Sequence, residues 1–308
     1  MSLSERIRSL KYLQSQNYFE KYKSRLLKLR DFIIAPLTAL LFALIIKIFV
    51  FEAYKIPTGS MENTLLVGDF LLVNKFIYGS SSPRAIPFTN IKIPYFTIPA
   101  VRQPERGDVV VFEYPGARDE IKPNEPVIYI KRLTALPGDT VSIVNKKVYI
   151  NGRESPCPQT IQYKNHYVQP PEREDTRIFP KGTHWNKDNY GPLVIPKKGD
   201  SLHLDLNNIE QWRVIINREL NDAAVKVTGH EITISGRVTK SYKLKKDYYF
   251  MMGDNRDDSF DSRFWGFVSG DKIIGKGFIV YWSWDPSYNN IIDRFATLRP
   301  GRIGKIIR

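Results

Sequence analysis

Twenty consecutive residues, Phe32 to Phe51, read FIIAPLTALLFALIIKIFVF and carry one charge, Lys47. As a helix such a run covers about 30 Å, the thickness of a bilayer's hydrocarbon core, so one transmembrane helix is expected over residues 32–51. Lys47 falls about one turn from the far end, where its stem can carry the ammonium to the interface. Pro36 falls in the first turns, where a missing N–H costs least. The alternatives are a buried core helix or a cleaved secretory leader. A leader's apolar stretch is usually about 7–15 residues behind a short basic segment. Here twenty apolar residues follow a segment of thirty-one.

The net charge of +14 is concentrated near that run. Residues 1–31 hold eight Lys and Arg against Glu5, Glu20 and Asp31, a net of +5, and the other +9 is spread over 277 residues. A basic flank before the span places residues 1–31 in the cytoplasm and everything after Phe51 across the membrane. The excess charge is read as membrane topology, with no nucleic-acid partner expected. Cys157 is the only cysteine, and His166, His184, His203 and His230 are scattered without metal-ligand spacing, so no metal or cofactor is expected.

After the span, β-branched and aromatic runs predict strands at Asp69–Lys75, Asp108–Tyr114, Val127–Leu133, Thr140–Val144, Lys147–Ile150, Glu231–Ser235, Tyr248–Met252 and Ile273–Trp284. Turn signals, among them Pro137-Gly138-Asp139 and Asn151-Gly152, separate them. The fold class is mostly β. Between about residues 151 and 246 the texture becomes polar, proline-rich and weakly periodic, which marks an inserted domain. Residues 52–150 and 247–308 would then form one discontinuous β domain. From Phe70 to Ile98, apolar residues such as Phe76, Ile77, Tyr78, Phe88, Ile91, Ile93, Tyr95 and Phe96 are broken by Pro83, Pro87, Pro94 and Pro99. That segment is either a buried irregular loop or a surface that dips into the bilayer.

Three segments are dense in side chains that are expensive without a purpose. Pro57-Thr58-Gly59-Ser60-Met61-Glu62-Asn63-Thr64-Leu65 sets a serine on a Pro/Gly-shaped turn, where a hydroxyl can be presented. In Tyr129-Ile130-Lys131-Arg132-Leu133, strand alternation puts Lys131 on the face of Tyr129 and Leu133, so one of the two cations points to the apolar side. Residues 251–266, MMGDNRDDSFDSRFWG, alternate in charge sign, as an interlocked turn of ion pairs does. A calcium loop there fails because Arg256 stands where a ligand oxygen is wanted.

In this order behind one apolar span, the three segments resemble the bacterial type I signal peptidases. The family's S-M-x-P-T-L reads here as Ser60 to Leu65. Its K-R-x-x-G-x-P-G-D reads as Lys131 to Asp139, and its G-D-N-x-x-x-S-x-D-S-R as Gly253 to Arg263. Arg106 to Phe112 looks like the family's R-G-D-V-V-V-F strand, which makes an adhesion-type reading of Arg106-Gly107-Asp108 unnecessary. Asn63 stands for the motif's proline, which is expected to loosen a turn. Ala135 stands for a glycine and implies a backbone that needs no positive φ.

The resemblance implies a membrane-bound serine endopeptidase with Ser60 as nucleophile and Lys131 as general base. The Ser60 N–H and the Thr58 hydroxyl would form the oxyanion hole. Ser259 would orient the lysine, and Asp261 with Arg263 would brace the turn. It also implies secretory precursors cut after a small-x-small pattern as partners, no cofactor, and the cytoplasmic membrane as location, near the secretion translocon, with the catalytic part outside the cytoplasm. A self-cleaving serine–lysine repressor would carry a DNA-binding module, and none is visible before Phe32. A catalytically silent peptide-binding module is disfavoured by intact Ser60 and Lys131.

Overall fold

The computed structural model describes residues 23, 27–28, 30–47, 49–79 and 98–308. Two units are distinguished, Met1–Val50 and Phe51–Arg308. In the first, residues 30–47 are helical, and apolar side chains such as Phe32, Leu41 and Phe42 are exposed. Among the described residues no helix is long and apolar enough to cross a membrane. Phe51, expected to close the apolar helix, instead opens a strand.

The second unit begins with β1 (Phe51–Lys55) and β2 (Asp69–Asn74), followed by β3 (Val109–Glu113) and β4 (Ile128–Ala135). Next come β5 (Thr140–Val144), β6 (Lys147–Ile150), β7 (Arg153–Glu154), β8 (Tyr190–Val194) and β9 (Ser201–His203). The helix α1 (Ile209–Leu220) precedes β10 (Val225–Thr228), β11 (Glu231–Ile234), β12 (Arg237–Val238) and β13 (Ser241–Lys243). The chain closes with β14 (Tyr248–Met252), β15 (Val268–Ser269), β16 (Ile273–Ser283) and a short helix, α2 (Ile291–Ala296). Seven strands form one sheet in the order β1-β2-β16-β3-β4-β14-β15, with every pairing antiparallel.

Period-two alternation explains how this sheet is held. Along β3, Val109 and Val111 pack into a cluster with Ile56, Met61, Leu65, Leu71 and Val280. Val110 and Phe112 pack on the other face with Leu133, Tyr249, Met251 and Trp265. The unbroken apolar run is therefore a strand covered on both sides. Along β14 the same rule sends Tyr249 and Met251 to that second cluster, and Phe250 and Met252 to a third with Val141, Ile143, Tyr190 and Phe264.

The polar stretch after residue 150 is more ordered than its weak periodicity suggests. It contributes β8, which pairs with β5 in a four-stranded sheet, β7-β6-β5-β8, so strands on both sides of residue 151 share one ladder. It also holds α1, whose Ile209 and Ile216 bury against Leu204, Val225 and Ile232. The Asn151-Gly152 signal is a tight turn, with φ of 52° and 77°, the mirror-image geometry that suits a hairpin. Phe88, Ile91, Ile93, Tyr95 and Phe96 of the apolar loop lie outside the described residues, as do Pro83, Pro87 and Pro94. Of its described members, Phe76 is exposed, while the Tyr78 hydroxyl turns inward to donate to Asp108 at 2.6 Å.

Candidate active site

Ser60 sits in a single 3₁₀ turn, Gly59–Met61, between β1 and β2. Met61 and Leu65 are fully buried and anchor the turn from below, leaving Thr58 exposed and Ser60 half-buried. Residues 253–255, just past β14, clamp it from the side. The Asn255 N–H donates to the Ser60 carbonyl at 3.1 Å, and the Asn255 amide donates to the Gly59 carbonyl at 3.1 Å and to Glu62 at 3.2 Å. A Cβ on Gly253 would stand 2.5 Å from the Ser60 carbonyl oxygen and 2.2 Å from Ser259 Oγ, so this close approach admits only glycine.

Asn63 has φ of +75°, a left-handed conformation closed to proline, and its amide donates to Gln162 at 3.0 Å. The expectation of a loosened turn is therefore corrected: the asparagine fits a turn of different shape and ties it to the segment beyond β7.

Lys131 reaches this turn from β4. Its Nζ lies 2.6 Å from Ser60 Oγ and 5.3 Å from the centre of the Tyr129 ring, on the face that alternation assigns to it. The side chain is only 4% exposed, and burial pushes its pKa down to about 8 against the opposing pull of Asp261 and Asp254. Arg132 is also 4% exposed. Both cations are inward, where one was expected, because β4 is covered on both faces. Arg132 forks onto Asp254 with Nε–Oδ1 of 2.8 Å and Nη2–Oδ2 of 2.6 Å, and the Thr64 hydroxyl donates to the same carboxylate. That buried pair joins β4, the Ser60 turn and the 253–255 turn.

Asp261 and Arg263 form a second buried bidentate pair, at 2.8 Å for both contacts. Asp261 also accepts the Gly253 N–H at 3.1 Å, and Arg263 donates to the Arg256 carbonyl at 2.7 Å. Burial works against the Asp261 charge, but the Arg263 charge and hydrogen bonds outweigh it and hold the carboxyl below its usual range. Ser259 Oγ is buried against Gly253 and near the Asp261 carboxylate, and it forms no hydrogen bond with Lys131. Neither the Ser60 N–H nor the Thr58 hydroxyl has a partner among the described residues. All four histidines are exposed.

The three segments thus converge, and the arrangement offers a hydroxyl against an amine whose charge is disfavoured by burial, beside two unengaged donors. Asn255, Arg132, Asp254 and Thr64 were not singled out as site residues in the sequence. The signal that could have found them is the pairing of opposite charges between two motif segments, Arg132 with Asp254.

A family model described as "Signal peptidase, peptidase S26" matches residues 29–282. Signal peptidase I of Pseudomonas aeruginosa is 32% identical over 264 residues, covering 82% of this chain and 72% of its own. Signal peptidase I of Aquifex aeolicus is 30% identical over 308 residues, covering 90% of this chain and 98% of its own. A solved signal peptidase I from Enterococcus faecalis, 20% identical, covers 57% of this chain and 98% of its own with a TM-score of 0.25, too low to bear on the fold. With the family model spanning most of the chain and these identities behind it, the chain belongs to the bacterial type I signal peptidases, peptidase family S26.

Proposed function

We propose that this chain is a membrane-anchored serine endopeptidase that removes signal peptides from exported precursors, with Ser60 as nucleophile and Lys131 as general base. The observation that carries the reading is the 2.6 Å approach of a buried Lys131 amine to the Ser60 hydroxyl. A free lysine near pKa 10.4 is neutral about once in 2,500 molecules at pH 7, a handicap of roughly 4.6 kcal/mol. At a pKa of about 8 the neutral fraction rises to about one in ten, and most of that handicap is gone.

In the proposed reaction Ser60 Oγ attacks the scissile carbonyl while Lys131 takes its proton, then passes it to the leaving amine as the C–N bond breaks. Water then attacks the acyl-enzyme, again giving a proton to Lys131, and Ser60 regains its own as the ester opens. The Ser60 N–H and the Thr58 hydroxyl are the proposed donors to the developing oxyanion, a role favoured by their lack of other partners. Ser259, which makes no hydrogen bond to Lys131 in this structure, is assigned to orienting the lysine on the family resemblance alone, and Asp261 with Arg263 to bracing the turn that holds the Ser60 carbonyl.

The proposed location is the cytoplasmic membrane, with residues 1–31 inside, the apolar run as one span, and the catalytic part outside, near the secretion translocon. The +5 flank before the run supports this direction. Membrane contact by the body is supported by exposed Phe278, Tyr281, Ile291, Ile292 and Phe295. The division into a catalytic part, residues 52–150 and 247–308, and an insertion, residues 151–246, is proposed with it.

Incubating the detergent-solubilised chain with a secretory precursor and mapping the cut by mass spectrometry tests the reading. One cut after a small-x-small pattern is expected, lost in Ser60→Ala and in Lys131→Ala. Cutting that survives both changes would contradict it.

A further inference from the structure

Beside the Arg132–Thr134 stretch of β4 lies a cavity of about 690 Å³ that neither Ser60 nor Lys131 lines. Leu133, Val148, Ile161 and Pro158 give it an apolar wall, and it opens past Pro156 and Cys157, which are exposed. Five basic side chains surround it. Four have a carboxylate partner: Arg106 with Asp139, Arg132 with Asp254, Lys146 with Asp257, and Lys147 with Glu154.

Arg256 has none among the described residues, although it is only 5% exposed; the Tyr163 hydroxyl meets its guanidinium, but its Nε is buried without a hydrogen-bond partner. Its backbone is fixed at both ends. The N–H donates to the Gln162 carbonyl at 3.0 Å, and the carbonyl accepts from Arg263 at 2.7 Å. A buried guanidinium is costly unless something answers its charge and fills its donor sites. The apolar stretch of wall at Leu133, Val148, Pro158 and Ile161 selects against a small, strongly hydrated ion acting alone.

We propose that this cavity binds a phosphate-bearing anionic amphiphile, of the chemistry an anionic phospholipid presents, with the headgroup on Arg256 and the start of a chain against Leu133 and Val148. Charge complementarity decides for an anion, and the apolar wall decides for a lipid over free phosphate. Such a ligand would adjoin the site, because Arg256 follows Asn255, which holds the Ser60 carbonyl, and Arg132 follows Lys131.

The full chain in phosphatidylcholine nanodiscs can be titrated calorimetrically with dihexanoyl phosphatidic acid, dihexanoyl phosphatidylcholine and inorganic phosphate. The expected result is one saturable site for the phosphatidic acid, no site for the phosphatidylcholine, and competition by phosphate at about tenfold or more higher concentration. Arg256→Gln should weaken the phosphatidic acid by about tenfold or more, and Arg256→Lys by less. Equal binding of the two lipids, or unchanged binding in Arg256→Gln, would overturn the proposal. Phosphate as tight as the phosphatidic acid would overturn the lipid assignment in favour of a free anion. The comparison of the two lipids on the unaltered chain stands even if Arg256→Gln does not fold.

Discussion

Lys131 is needed for the proposed reaction but costs stability while it is charged. Its folded pKa, about 8, lies below the 10.5 of a free lysine, so between those values the folded chain binds fewer protons than the unfolded one and stability rises with pH. Below pH 8 the ammonium is buried at a cost. Lys131→Met keeps the length of the side chain and removes that charge. It should abolish cleavage yet raise the melting temperature at pH 6 by a few degrees, as calorimetry would read. A lower melting temperature would mean that the lysine is well paired and not poised as a base. Thr58 offers a separate test, since its hydroxyl is exposed and unengaged. Thr58→Val should lower kcat by about 10²–10³ with KM nearly constant, and Thr58→Ser should stay active. Loss of affinity alone would make Thr58 a turn residue.

Among the elements, strands bounded by clear turn residues were the most legible from sequence. Thr140–Val144, Lys147–Ile150 and Tyr248–Met252 coincide with their expected bounds, because alternation over four or five residues between turn residues leaves one solution. Most strands between positions 153 and 243 were missed, since Tyr190–Val194 is interrupted by Gly191 and Pro192 and others, such as Arg237–Val238 and Ser201–His203, are only two or three residues long. Helix α1 was missed for another reason. Its buried residues are largely β-branched, Ile209, Val214, Ile215 and Ile216, types that read as strand as readily as helix. In the site, one-dimensional motifs gave the three segments but not their clamp. The Asn255 and Arg132–Asp254 contacts join residues 120 or more apart in the chain. The Asn63 turn is the case where motif and structure diverge. Asn63→Pro would restore the family's motif letter, yet at φ of +75° it should destabilise the chain by about 1–3 kcal/mol or more and lower activity. Denaturant unfolding checks this, and a stabilised variant would mean that the turn can take the other shape.

At the scale of the whole molecule, the proposed reaction needs a β-rich catalytic unit, an apolar anchor and a precursor whose own apolar helix stays in the lipid. Removing residues 1–50 should leave a unit that still cuts soluble peptides and floats with liposomes through its exposed apolar side chains. Normal activity in plain buffer with no flotation would assign all membrane contact to the removed segment. The central claim remains that a buried, neutral Lys131 activates Ser60. Single-turnover cleavage of one secretory precursor, followed from pH 5 to 10, tests it most directly. The account predicts a rate that climbs with unit slope and levels off with a midpoint near 8, in the unaltered chain and equally in a variant with His166, His184 and His203 changed to alanine. A midpoint near 6.5 that disappears in the histidine variant would contradict it.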